Sequence, residues 1–160
     1  MSGGGSIRVG LGVDAHRLEP GRPLMLGTIH IEHPSGLAGH SDGDVVAHAL
    51  CDALLAASGG PDIGVLFPPG ADEWAGASGA MLLGIVVERV HEAGYAVVNA
   101  HAVVICEAPK LAPHRDAMQH ALSTIVGAPV TVHATTTDGM GATGRGEGIA
   151  CQAVALVEAS

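Results

Sequence analysis

The stretch from His40 to Asp52 narrows the fold of this chain more than any other. Val46, Leu50, Ala53 and Ala57 follow one another at i, i+4, i+7 and i+11, the apolar stripe of an amphipathic helix. Asp44, His48 and Asp52 fall at i, i+4 and i+8 on roughly the opposite side. Ser41 is the expected N-cap, with Asp44 three residues on as a variant capping box, and Gly59-Gly60-Pro61 is the stop. The spacing predicts a helix with one face in a core and the other carrying two carboxylates and an imidazole. Leu55 shares the polar side, so that side is expected to be covered. His40 and Ser41 stand at the helix mouth, where free N–H groups and the macrodipole favour an anion. Such a face suits either a solvated surface or a metal ligand between carboxylate orienters, and it needs a second half.

The N-terminus supplies one. Ile7, Val9, Leu11 and Val13 alternate with Arg8, Gly10, Gly12, Asp14 and His16, the period of a strand. Alternate side chains share a face, so Asp14 and His16 point the same way. With His48 they make one carboxylate and two imidazoles with a fourth position open, the donor set of a catalytic zinc site rather than a closed structural one. An Asp-x-His pair alone is mostly structural; its weight here comes from the helix that completes it.

In the rest of the chain, 19–23 is a turn, 24–31 a strand expected to partner the first, and 33–39 a loop. A long loop without periodicity follows the helix, of the kind that covers binding sites. It holds the single Phe and the single Trp, Phe67 and Trp74. Residues 78–93 read as a second helix with Met81, Leu82, Ile85, Val86 and Val90 buried. Residues 97–106 are apolar at nearly every position, as in a central strand covered on both faces, with Asn99 and His101 as satisfied core groups. Lys110 precedes a helix over 113–126, a place to hold a phosphate. A strand over 130–137 ends in Thr135, Thr136, Thr137 and Asp138. The Gly-rich run over 139–148 lacks the Lys of a P-loop and is not expected to open a helix. Hydroxyls and a carboxylate there suit phosphate oxygens and a cation. Residues 149–158 form a last strand. The expected fold class is α/β, an α+β sandwich: a mixed sheet of about four main strands with helices on one face, plus a small hairpin. It forms a single domain over 7–160 behind a flexible tail at 1–6.

Composition limits the partners. Hydrophobic residues make up 48% of the 160 residues but aromatics 2%, so the core must be built from Ala, Val, Leu and Ile. Charged residues are 14%, against roughly 25% in ordinary domains, which points to surface hidden in an oligomer. A net charge of −9 and so few aromatics exclude a nucleic-acid surface. The carboxylates are more readily explained as metal-directed, since an anionic ligand would need cations to reverse the field. Cys51, Cys106 and Cys151 form no CxxC pair and are expected as buried thiols in a reducing compartment, and no apolar run reaches a membrane span. The expected location is cytoplasmic.

Asp14-Ala-His16, Gly39-His-Ser-Asp-Gly-Asp44 followed by His48, Asp62-Ile-Gly64, Ala108-Pro-Lys110, Thr135-Thr-Thr137 and Thr143-Gly-Arg-Gly-Glu-Gly148 occur in that order. In these blocks the chain closely resembles the 2-C-methyl-D-erythritol 2,4-cyclodiphosphate synthase family, over about residues 7–158. The resemblance implies a homotrimer with active sites at subunit interfaces, each using zinc plus magnesium or manganese. The family cyclises 4-diphosphocytidyl-2-C-methyl-D-erythritol 2-phosphate, a cytidine diphosphate substrate, and releases CMP in the non-mevalonate isoprenoid pathway. Asp14, His16 and His48 match the zinc ligands, and His40 and Thr136 the stabilisers of the transition state. Ser41, Asp62, Gly64, Phe67 to Ala71, and Cys106 to Ala112 with Lys110 and Leu111 match substrate contacts, the last segment cradling the cytidine. Thr135, Thr137 and Asp138 join them, Asp138 standing where the family commonly has a Glu on the second metal. Gly139 replaces a frequent Lys, and Val13 a common Phe. Ala142 replaces an aromatic that often lines a cavity near the threefold axis, beside Arg145. The length leaves no room for the partner enzyme fused to some members. Two other readings fit the residues: a zinc-dependent phosphoesterase using water, and a non-catalytic nucleotide-binding trimer with structural zinc.

Overall fold

Strand β1 (Ile7–Pro20) pairs antiparallel along most of its length with β7 (Gly148–Ala159), Asp14 opposite Cys151 and His16 opposite Ile149. The structure, a computed structural model, describes residues 6–160. The expected tail lies outside that range except for Ser6, whose carbonyl accepts from Ala159 N at 3.0 Å. On its other side β7 pairs antiparallel with β5 (Tyr95–Ile105), and β5 pairs parallel with β6 (Val130–Thr135). A short β4 (Ser35–Leu37) closes the far edge, giving the order β4-β1-β7-β5-β6. This is the mixed sheet the sequence predicts.

Three sequence expectations change here. Residues 24–31 do not partner β1; they fold back as a separate hairpin, β2 (Leu24–Leu26) and β3 (Ile29–Ile31). Gly27 and Thr28, at φ 60° and 66°, make the turn, and Thr is a poor marker of that conformation. The predicted loop over 33–39 contains β4, the actual second partner of β1. Residues 97–106 are not covered on both faces: Ala100, Ala102 and Val104 are buried, whereas Asn99 is exposed and His101 half-buried on the other side.

Helices cover only one face. α1 (Val45–Ser58) lies on β1 and β7, and α3 (Gly79–Glu92) packs on α1 and β5. α4 (Arg115–Val126) packs against β6. α3 buries Leu82, Leu83, Val86, Val87 and Val90, a stripe turned slightly from the predicted one, and leaves Met81 half exposed. The buried core holds Leu, Val, Ile, Ala, Met and Cys but no Phe, Tyr or Trp among the described residues. Small side chains let the layers approach closely: Gly10 and Gly12 of β1 sit directly on the backbone of α1 at Ala53 and Ala49. All three cysteines are free and buried. No helix is long and apolar enough to cross a membrane among the described residues.

Candidate functional site

The segment between β4 and α1 is built from carboxylates that cap helices. Asp44, fully buried, is the N-cap of α1 in place of the predicted Ser41. Its Oδ1 accepts from Val46 N and Ala47 N, both at 3.1 Å, and from Gly27 N at 3.0 Å; Oδ2 accepts from Thr28 N at 2.7 Å. One carboxylate thus joins the helix start to the β2–β3 turn. Burial pushes this carboxyl up while the N–H donors pull it back. Asp42 accepts from Gly79 N at 2.8 Å and so tethers the start of α3. Gly43, at φ 74°, turns the chain between Ser41 and Asp44; a Cβ there would meet Leu37 O at 2.4 Å. That turn frees Ser41 from capping and aims its hydroxyl at His48 Nε2, 3.0 Å away.

Asp14, His16 and His48 converge as their spacing predicts. Asp14 Oδ2 is 2.8 Å from His16 Nε2 and 3.2 Å from His48 Nδ1, and the two ring nitrogens are 3.3 Å apart. The three donors lie within 4.8 Å of one another, close enough to share one divalent cation. The outward nitrogens fit that use. Ala38 O can only accept, so His16 Nδ1 carries the proton and leaves Nε2 as the donor atom. Ser41 Oγ holds His48 Nε2, which leaves Nδ1. Without a cation, burial would raise the Asp14 carboxyl, but protons on His16 Nε2 and His48 Nδ1, which a bound ion would displace, hydrogen-bond it and hold it at about 2. The hydrogen bond to Asp14 raises His16 above its ordinary value.

A cavity of about 230 Å³ opens beside this cluster. Asp14, His16, His40, Ser41, His48, Gly64 and Phe67, all expected from the sequence, line it. His40 Nε2 donates to Ala71 O at 3.1 Å. The predicted long loop begins with a single helical turn, α2 (Ile63–Leu66), capped by Asp62. Asp52 accepts from Ile63 N at 2.9 Å, so it holds the loop rather than facing the histidines. Phe67 and Trp74 meet edge to face, ring centroids 4.8 Å apart, and both line the cavity. Pro69, inside the expected Phe67 to Ala71 segment, also lines it, as do Ile63 and Leu82, which the sequence did not single out as site residues. Trp74 had a signal, being the single Trp; Leu82 read only as core.

The remaining predicted contacts gather elsewhere, at the C-terminal ends of the parallel strands β5 and β6. Cys106 N donates to Thr135 O at 3.0 Å and Gly139 N to Glu107 Oε1 at 3.3 Å, which joins the 106–112 segment to the 135–139 segment. Cys106 and Leu111 are buried, Lys110 and Ala112 exposed. Burial pushes the Cys106 thiol up to about 11. Thr136 Oγ1 accepts from Asp138 N at 3.2 Å, and Asp138 stands at φ 52°. Thr137 Oγ1 donates to Met140 O at 2.6 Å. Gly141–Gly144 forms one helical turn, α5, inside the Gly-rich run expected to have none. Ala142 lines a second cavity with Ala15, Arg17 and Thr143, and Arg145 pairs with Glu147 at 2.8 Å. None of the residues 106–112 or 135–138 lines the first cavity.

The model of the YgbB family matches residues 7–158. A 2-C-methyl-D-erythritol 2,4-cyclodiphosphate synthase of Marinobacter nauticus is 51% identical over 156 residues, which cover 96% of this chain and 98% of that protein. A bifunctional IspD/IspF enzyme of Erythrobacter litoralis is 50% identical over 154 residues; the match covers 94% of this chain and 40% of that enzyme's length. A solved structure of a 2-C-methyl-D-erythritol 2,4-cyclodiphosphate synthase in its CDP-bound form superimposes with a TM-score of 0.86 at 38% identity, covering 94% of this chain and 99% of that one.

Proposed function

The chain belongs to the YgbB family, and from that premise we propose that it is a 2-C-methyl-D-erythritol 2,4-cyclodiphosphate synthase. Its substrate is 4-diphosphocytidyl-2-C-methyl-D-erythritol 2-phosphate, and its products are the cyclic diphosphate and CMP. The observation that carries this reading is the meeting of Asp14 and His16 from a strand with His48 from a helix, beside a cavity lined by His40 and Ser41.

In the reaction, an oxygen of the 2-phosphate attacks the β-phosphorus, and the bond from that phosphorus to the bridging oxygen breaks as CMP leaves. Phosphoryl transfer of this kind asks the protein chiefly for positioning and for neutralisation of charge. Asp14, His16 and His48 would hold a zinc ion, which when bound would supply Lewis-acid polarisation of a phosphate oxygen. His40 and Thr136 stabilise the charge that develops on the transferred group. Ser41, Asp62, Gly64 and the segment Phe67 to Ala71 contact the substrate. Cys106 to Ala112 cradle the cytidine, and Thr135 to Asp138 take the phosphates. Asp138 would offer its carboxylate to a second cation, magnesium or manganese. No general base is needed, because the phosphate nucleophile is already ionised.

The working unit is a homotrimer in the cytoplasm. Two observations support it. The cation cluster and the 106–112 and 135–138 segments occupy different regions of one chain, so a complete site draws the second set from a neighbouring copy. The open face of the sheet carries Ile7, Val9, Leu11 and Val13 at 57–67% exposure with Val154 at 44%, an apolar surface that association would cover. The deciding experiment incubates purified protein with substrate, zinc and magnesium. Release of CMP with a cyclic diphosphate supports the reading; an open-chain product heavier by one water would indicate a zinc phosphoesterase, and bound nucleotide without CMP release a binding protein.

A further inference from the structure

The irregular segment Ala38–Ser41 carries three groups that the site uses: the Ala38 carbonyl on His16 Nδ1, the Ser41 hydroxyl on His48 Nε2, and the His40 imidazole. An irregular backbone holds a fixed shape only if its polar groups find fixed partners. Here each carbonyl has one. Ala38 O takes His16, and His40 O accepts from Gly76 N at 2.9 Å. The other two, flanking His40 on either side, are both taken by one side chain: Arg22 Nη2 donates to Gly39 O at 3.0 Å and to Ser41 O at 2.9 Å. Arg22 lies in the turn before β2, outside the cavity lining, and its side chain is 31% exposed. Among the described residues, its only acidic neighbour within ion-pair range is Glu19, at 3.9 Å.

We propose that Arg22 is a positioning residue for this site: its guanidinium clamps the two carbonyls around His40 and thereby fixes the groups that orient both ligand imidazoles. The inference rests on the reading of Asp14, His16 and His48 as cation ligands. A half-buried arginine in a turn outside the hydrophobic cluster does little for the core. What its loss releases is the shape of the segment. Gly39 has no side chain to restrain it and sits against the His16 ring, where a Cβ would stand 3.3 Å from Cε1 and Nδ1. Freed, the segment lets both imidazoles turn away from a shared ion.

The test compares Arg22→Met, Arg22→Lys and the parent protein. Zinc affinity is measured by chelator competition without substrate, amide exchange at residues 39–41 in the metal-free protein, and kcat and KM with substrate. In the methionine variant the zinc dissociation constant should rise by about tenfold, the lower end of what losing an outer-sphere orienter costs. Exchange at 39–41 should quicken, and kcat should fall more than KM rises. The lysine variant, still a donor to both carbonyls, should lie between the methionine variant and the parent. A methionine variant with parental zinc affinity and parental exchange overturns the proposal. Should it not fold, Arg22→Gln, a donor too short to span both carbonyls, carries the same comparison. If the parent releases no CMP, the cyclase reading falls, while zinc affinity and exchange still decide the role of Arg22.

Discussion

A Cβ on Gly12 would stand 2.0 Å from the carbonyl oxygen of Ala49 and 2.6 Å from Ala53 N, so β1 and α1 touch backbone to backbone. That contact sets the cation cluster. Asp14 and His16 follow Gly12 on the same face of the strand, and His48 precedes Ala49 on the helix. Gly12→Ala must push the helix from the strand, because backbone cannot yield as a side chain tip does. The variant should lose about 3 kcal/mol of stability and bind zinc more weakly, as read by urea denaturation and chelator competition. A variant of parental stability and zinc affinity would show that the close approach is not what aligns the ligands.

His48→Ala removes one donor of three while leaving the α1 cap at Asp44 and its core stripe intact. Zinc content and turnover should fall together, by more than the roughly 10–100-fold that loss of an outer-sphere partner brings. Far-ultraviolet dichroism should be unchanged. Metal analysis beside a CMP-release assay checks this, and normal turnover in chelator-treated buffer would rule out the assigned role.

Thr28 has a positive φ of 66°, and its Oγ1 is buried without a hydrogen-bond partner. Both features cost stability: the left-handed conformation about 1–2 kcal/mol and the unpaired hydroxyl about 1–3 kcal/mol. Glycine removes both and keeps the Thr28 N bond to Asp44, at the expense of about 0.5–1 kcal/mol in chain entropy. Thr28→Gly should therefore stabilise the protein by about 1 kcal/mol, measured as a higher urea midpoint at unchanged slope.

The residues that were legible in sequence are those whose placement follows from one element's period. Alternation along β1 put Asp14 and His16 on one face, and helical spacing brought His48 to meet them. Asp44 misled because a cap is decided by the turn at Gly43, not by helical phase, so a capping and hairpin-tethering carboxylate read as part of a polar face. Arg22 left no signal, since its partners are backbone carbonyls seventeen and nineteen positions away. The uniformly apolar run in β5 suggested cover on both faces, yet within one chain its second face is open. The fold of a single chain supplies only one layer of helices, which covers Ala100, Ala102 and Val104 and leaves the alternate positions of the strand less buried. Lys110 and the hydroxyls and carboxylate of 135–138 read as phosphate and cation chemistry from residue type alone, while the other 106–112 contacts came from family resemblance, and no periodicity could say that these segments stand apart from the cation cluster.

His101 lies on that open face, with His133 against it at a centroid distance of 4.5 Å and Thr131 Oγ1 2.7 Å from its Nδ1. Partial burial, and then the nearby His133, lower its pKa from the usual 6.5. The folded chain thus resists a proton that the unfolded chain accepts. Above pH 6.5 neither state is protonated there and the group is silent. As pH falls from 6.5 through the lowered folded value, the unfolded state binds more protons, and stability drops before levelling off. His16 behaves oppositely: its raised pKa adds stability that is complete below 6.5 and lost as pH rises through the raised value. The two can be separated because His101→Gln, which can keep the bond to Thr131, removes only the first. The stability difference between parent and His101→Gln should shift in favour of the variant as pH falls from 7.5 to 5.5 in urea titrations. A difference independent of pH would mean that His101 takes up its proton equally well folded and unfolded.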